Sequence, residues 1–322
     1  MIMLKNKGLV VRGSRNLFTV RSGGEEIECR IKGKVLKGVE GYYNALAPGD
    51  IVEIDNGLIV GLEKRRNCFA RFNQKGQAPQ LIASNIDLVV CVASIASPPF
   101  RPRFIDRAMV QAEIAGIPAA IVCNKYDLAD PDLADDASTD PDMEERLSDF
   151  GRIGYPVFRL SAKTGAGLEE FRQFISGKFS VLVGQSGTGK SSLINALIPE
   201  LEIKTGEINE KYSRGKHTTT QGVLLESMDG GGEASSIRII DTPGIRRFAI
   251  ADLKASELIF YMREFAPLAG KCSYGLSCSH QTEVGCKIME AVYAGVIHED
   301  RYESFIRIQD EISGKNSYPD AD

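Results

Sequence analysis

No stretch of 18 consecutive apolar residues occurs in the 322-residue chain, so the sequence offers no membrane-spanning helix. No secretory signal pattern opens it, and no internal repeat organises it. A disulfide framework is therefore not expected, and a cytoplasmic location is. Histidine is scarce, with three residues, and cysteine numbers seven. Four cysteines, Cys29, Cys68, Cys91 and Cys123, stand alone; Cys91 and Cys123 lie in apolar runs and read as small hydrophobes. The net charge of −4 hides a division. Residues 1–80 hold 14 Lys+Arg against 8 Asp+Glu, and the remainder holds 25 against 35. A chain of this length divides into two or three domains rather than growing one core.

What is present is a complete phosphate-binding loop, Gly184-Gln185-Ser186-Gly187-Thr188-Gly189-Lys190-Ser191, followed by Ser192. Its glycines let backbone N–H groups curl around a β-phosphate. Lys190 reaches the β/γ oxygens, and the Ser191 hydroxyl suits Mg²⁺. The apolar run Phe179–Val183 predicts a strand before it, and Ser192–Leu197 predicts the opening of a helix after it. Sixty residues earlier stands Asn124-Lys125-Tyr126-Asp127, preceded by the buried-strand pattern Pro118–Cys123. At the carboxyl end of such a strand, the Asp127 carboxylate can accept from guanine N1–H and the 2-amino group. Adenine has no such donor pair. Asn124 would brace this pocket and the Lys125 stem would lie along the base. Ser161-Ala162-Lys163, after the strand pattern Tyr155–Leu160, resembles the second guanine-contacting loop of GTPases.

Asp241-Thr242-Pro243-Gly244 ends the strand pattern Ser236–Ile240. An aspartate there can hold Mg²⁺ through water, and the Gly244 N–H can meet a γ-phosphate. The stretch Arg214–Thr220 is basic and hydroxyl-rich, as a switch ordering around γ-phosphate requires. Thr219 is the preferred magnesium ligand, with Thr218 and Thr220 as rivals. Cys272, Cys278, His280 and Cys286 form a C-x₅-C-x-H-x₅-C array. Such a Cys₃His set closes the tetrahedral shell of a structural Zn²⁺. Residues 1–80 carry short alternating runs between glycine-rich turns, which predicts a small β-barrel. Its Lys32, Lys34, Lys37, Lys64, Arg65 and Arg66 are candidate phosphate contacts, against the plainer reading of a solvated basic face. The segment 130–149 carries nine acidic residues and one basic residue, Arg146, and reads as a solvated insertion. Residues 297–312 carry a helical rhythm suited to packing.

The boxes run guanine, second guanine loop, phosphate loop, first switch, second switch, so the domain looks circularly permuted. In this order, and with these flanking regions, the chain resembles the bacterial ribosome small-subunit-dependent GTPase A family over essentially its whole length. The resemblance implies an oligonucleotide-binding (OB) barrel over 1–80, to which Pro48-Gly49-Asp50 is similar. It implies a permuted α/β P-loop GTPase domain over 81–250 and a mostly helical zinc-binding domain over 251–322. The family's usual gap between the first two cysteines is four residues, one fewer than here. GTP/GDP, Mg²⁺ and one structural Zn²⁺ are the implied ligands. The implied partners are the small ribosomal subunit and its rRNA, with the protein monomeric and off the membrane.

One part is missing. Ras-like enzymes orient the attacking water with a glutamine after the Asp-x-x-Gly box, where this chain has Ile245. His217 is the internal candidate for that role, against a merely loop-stabilising one. Lys190, His217 and Thr219 make the expected catalytic set. Gly187 stands where K⁺-recruiting GTPases carry Asn, which argues against a K⁺-assisted site. An assembly switch on the small subunit leads over a free-standing GTP hydrolase and over a zinc-stabilised RNA binder with a structural nucleotide site.

Overall fold

The computed structural model describes residues 6–14, 16–33, 41–129, 142–201, 222–227 and 236–314. The expected residues His217, Thr218, Thr219, Thr220, Lys34 and Lys37 lie outside them.

The N-terminal strands are β1 (Asn6–Ser14), β2 (Leu17–Ser22), β3 (Glu25–Ile31), β4 (Ile51–Asp55) and β5 (Leu58–Leu62). They run in the order β1-β2-β3-β5-β4, and β4 pairs back to β1, which closes a barrel with no free edge. All pairings are antiparallel except β3–β5. Alternate apolar residues fill the interior, with Val10, Phe18, Val20, Cys29, Val52, Ile54 and Ile59 in one cluster. Hairpin β6 (Cys68–Asn73) and β7 (Ala78–Ser84) connects the barrel to a second sheet.

That sheet is built from β8 (Leu88–Ser94), β9 (Ala119–Asn124), β10 (Val157–Arg159), β11 (Phe179–Val183), β12 (Val223–Glu226) and β13 (Arg238–Asp241). The order is β10-β9-β8-β11-β13-β12; only β12 is antiparallel to its neighbour. Successive residues of the central strands face opposite cores. Val89, Cys91, Val181 and Val183 lie under helix α1 (Pro102–Ile114), while Val90, Val92 and Leu182 meet α3 (Leu168–Ile175) and α4 (Lys190–Leu197). That two-sided burial is why these strands read as unbroken apolar runs. Burial pushes the Cys91 and Cys123 thiols up to about 12, in keeping with hydrophobes rather than reactive groups.

β12 also pairs with β1 at Arg12↔Val223, so barrel and sheet are one hydrogen-bonded surface. The Arg21–Glu226 ion pair reinforces the joint.

Two expectations need correction. Residues 143–149 are not solvated insertion. They belong to helix α2 (Met143–Arg152), whose Met143, Leu147 and Phe150 recur on one face and are buried. Arg146, read as a lone surface cation, is 1% exposed and ion-paired. Nor is Arg65 a free contact. Its guanidinium binds Asp50 at 2.7 and 2.8 Å and the Ala45 carbonyl.

The C-terminal part holds a 3₁₀ stretch (Ala255–Tyr261), α5 (Lys287–Tyr293) and α6 (Glu299–Ile312). As the helical rhythm predicts, Phe305 and Ile308 of α6 are buried, against Leu258, Met262 and Phe265. A buried charge lattice ties this part to the sheet unit. Asp106 of α1 accepts from Arg301 of α6 at 2.6 Å and from Arg146 at 3.3 Å, and Glu264 accepts from Arg301 at 2.6 Å.

Candidate functional site

The phosphate loop leaves β11 and enters α4 through Gly189, whose φ of +86° a side chain would strain. A Cβ there would also meet the Asn124 amide nitrogen at 2.3 Å, and one at Gly184 the Val92 carbonyl at 2.3 Å. Thr188 closes the turn by donating to the Gln185 carbonyl at 3.0 Å. Lys190 is buried, and its ammonium donates to the Gly184 and Gln185 carbonyls at 2.9 and 2.8 Å. The loop's amides open a helix, where backbone N–H groups and the helix dipole favour an anion. Ser186 and Gly187 are exposed at its rim; Ser191 and Ser192 sit half-buried on the first turn of α4.

Sixty residues of sequence separate Asn124 from this loop, yet it is the pin between them. Its Nδ2 donates to the Thr188 carbonyl at 3.0 Å, and its Oδ1 accepts from the Ala162 amide at 3.0 Å. One buried amide thus joins both guanine-type loops to the phosphate loop. Lys125, in the left-handed region, extends its ammonium to the Ser97 carbonyl, and desolvation lowers its pKa. Tyr126 donates to Glu144 of α2 at 2.9 Å. Ser161 accepts from the Thr164 amide at 3.1 Å and is buried; Lys163 is exposed. The Asp127 Oδ1 is buried without a hydrogen-bond partner among the described residues. Such an atom costs about 1–3 kcal/mol until a donor reaches it.

At the end of β13, Asp241 aligns with Leu182 and stands 7% exposed. Burial pushes its carboxyl up to about 6, and the Lys190 ammonium opposes that. Its Oδ1, too, lacks a partner among the described residues. A cation beside it would lower the pKa again and satisfy the oxygen, so the residue suits a hard divalent ion. Gly244 lies against Ser186, where a Cβ would come within 2.7 Å of its Cα. The Ile245 amide donates to the Gly184 carbonyl at 3.0 Å. The Ile245 side chain turns away, 5% exposed, into the core with Phe248. Sequence reasoning missed Ser97, Pro98 and Glu144, which brace the loops from a distance and carry no motif of their own.

Cys272, Cys278, His280 and Cys286 are all buried, with ligand atoms within 4.8 Å of one another. The His280 Nδ1 lies 3.6 Å from the Cys272 sulfur and 3.5 Å from the Cys286 sulfur; those two sulfurs are 3.9 Å apart. Tetrahedral zinc with Zn–S of about 2.3 Å and Zn–N of about 2.0 Å has edges of about 3.8 Å (S···S) and about 3.5 Å (S···N). The cluster fits such an ion. Supporting contacts hold it: the Lys287 amide donates to the Cys272 sulfur at 3.3 Å, and Tyr302 donates to the His280 carbonyl at 2.8 Å.

Comparison with known proteins agrees with this geometry. The family model for the RsgA GTPase matches residues 62–251. The small ribosomal subunit biogenesis GTPase RsgA of Phocaeicola vulgatus is 35% identical over 318 residues, covering 96% of this chain and 98% of that protein. The protein of the same name from Shewanella oneidensis is 42% identical over 252 residues, 78% of this chain and 67% of its own. Among solved structures, YjeQ from Thermotoga maritima superposes with a TM-score of 0.70 at 31% identity, covering 97% of this chain and all of that one. YloQ, a circularly permuted GTPase, shares the fold with a TM-score of 0.64 at 23% identity, covering 98% of this chain and 97% of its own. With a permuted motif order, a closed N-terminal barrel and a Cys₃His cluster carried on one chain, this protein belongs to the RsgA GTPase family.

Proposed function

We propose that the protein hydrolyses GTP as a late maturation factor of the small ribosomal subunit, which it binds through rRNA and which stimulates it. The reading divides the chain into an RNA-binding barrel (1–80), a permuted GTPase domain (81–250) and a zinc-binding helical domain (251–322), acting as a cytoplasmic monomer. The observation that carries the nucleotide site is the pair of buried carboxylate oxygens, on Asp127 and Asp241, that have no partner among the described residues, beside the loops that Asn124 pins together. Asp127 would accept from guanine, with Asn124 and Ala162 setting the pocket. Lys190 and the loop amides would bind the phosphates, as Gly244 would the γ-phosphate. Ser191 and Asp241, with Thr219, would hold Mg²⁺, which supplies charge to the phosphoryl oxygens when bound. The Cys₃His set would hold Zn²⁺ in a closed, structural shell.

The relatives are named for small-subunit biogenesis, and this chain covers nearly all of the Phocaeicola protein's length. Lys32 and Lys64 are exposed on the N-terminal part and remain candidate rRNA contacts, whereas Arg66, also exposed, is ion-paired to Asp87 at 2.6 Å. Ile245 is turned into the core, so it leaves the attacking water unoriented, and intrinsic turnover should be slow. His217 is the proposed internal substitute. GTP turnover with and without purified small subunits tests the reading. Stimulation on the order of 10²-fold corresponds to about 2.7 kcal/mol of transition-state stabilisation. Turnover unchanged by subunits, in protein that binds GTP, would favour a free-standing hydrolase.

A further inference from the structure

The residue after Ile245 follows directly on the backbone that meets the phosphate loop, and it is exposed. The Ile245 amide is bonded to the Gly184 carbonyl at 3.0 Å, and the Gly244 position is pressed on Ser186. Ile245 faces the core, while Gly244, Arg246, Ser186 and Gly187 are exposed, and Gly244 lies directly against Ser186. The neighbouring Arg247 is ion-paired to Glu311 at 3.5 Å. Arg246 has no ion pair or hydrogen bond among the described residues.

Lys190 is the one cation that the described part of the cradle places on the loop itself, and its ammonium is held low against two loop carbonyls. Charge developing on a γ-phosphoryl group as it transfers needs a second donor at the open side. An arginine fork, planar and permanently charged, is the side chain best matched to phosphate oxygens. The Arg246 backbone is one residue from the amide bonded to Gly184, and its side chain is exposed.

We propose that Arg246 is a catalytic residue whose guanidinium contacts the γ-phosphoryl oxygens in the transition state, supplying in cis the charge that many GTPases take from a partner's arginine. This rests on the reading of the cradle as a GTPase site. The reaction stays simple hydrolysis. The water oxygen–phosphorus bond forms, the bond from phosphorus to the β–γ bridging oxygen breaks, the electron pair leaves with GDP, and the water proton ends on phosphate. Arg246 donates two N–H groups and takes no part in the proton transfer.

Single-turnover GTP hydrolysis and GDP binding by the full chain, for the parent, Arg246→Ala and Arg246→Lys, test it. Arg246→Ala should lower the hydrolysis rate by about 10²-fold, the scale of losing one preorganised donor. GDP affinity should stay within about threefold, since the contact forms only in the transition state. Arg246→Lys should recover part of the loss, added guanidinium should raise the rate of the alanine variant, and its GDP complex should lose affinity for aluminium fluoride. A hydrolysis rate within about twofold of the parent, or a parallel loss of GDP binding, overturns the proposal. Failure of the parent itself to hydrolyse GTP would instead overturn the reading on which it rests.

Discussion

Replacing Asp106 with Asn removes the shared anion of a buried lattice without changing its volume. Asp106 is fully buried and lies between Arg146 and Arg301, each 1% exposed. Its loss leaves two guanidinium groups that water cannot reach. Removing one partner of a buried ion pair costs about 3–5 kcal/mol. The lower end applies here, because Arg301 keeps Glu264 at 2.6 Å and Arg146 keeps Asp149 at 3.2 Å. About 3 kcal/mol corresponds to a fall in Tm of roughly 6–12 °C for a unit of 150–250 residues. Because the lattice joins α1 and α2 to α6, the C-terminal part should loosen first, and chelators should extract zinc from the variant faster. Scanning calorimetry and zinc release followed by a colorimetric chelator read both effects. Lys287→Ala, which breaks an exposed pair with Glu290, is the comparator and should cost under about 0.5 kcal/mol. An Asp106→Asn variant that melts within about 2 °C of the parent would refute the reasoning, since the lattice would then carry no net energy.

Asp127→Asn should weaken GTP and favour xanthosine triphosphate, whose C2 carbonyl suits an amide donor; competition binding with GTP, XTP and ATP reads the switch, and an unchanged preference removes Asp127 from the pocket. Protein purified without chelator should contain about one zinc per chain, and Cys278→Ser should lose it together with C-terminal order. Metal analysis that finds no zinc ends that assignment. Glu226→Arg should destabilise the barrel–sheet joint by about 1 kcal/mol, and Arg21→Glu in the same chain should restore it, because the pair is only partly buried. A double variant no more stable than Glu226→Arg alone would show that the β1–β12 joint does not depend on this pair. Replacing Lys32 and Lys64 with Ala should flatten the salt dependence of small-subunit binding, which scales with the phosphates contacted.

The sequence determined by itself what depends on short-range chemistry. The phosphate loop could be read because its glycines, lysine and serine act within one turn of chain, and the central strands because burial on both faces leaves unbroken apolar runs. The Cys₃His array was legible for the same reason: fifteen residues hold all four ligands. Tertiary structure decided the rest. Arg65 and Arg146 look like surface cations in one dimension, and only the fold shows the buried carboxylates, Asp50 and Asp106, that claim them. Helix α2 was hidden because acidic residues on its wet face masked the spacing of Met143, Leu147 and Phe150. The burial of Ile245 in the core, with Arg246 left exposed, follows from where β13 meets the loop after β11. So does the role of Asn124, whose partners Thr188 and Ala162 are 64 and 38 residues away. Contacts of that range depend on which strands lie side by side, and local sequence chemistry does not encode the neighbour.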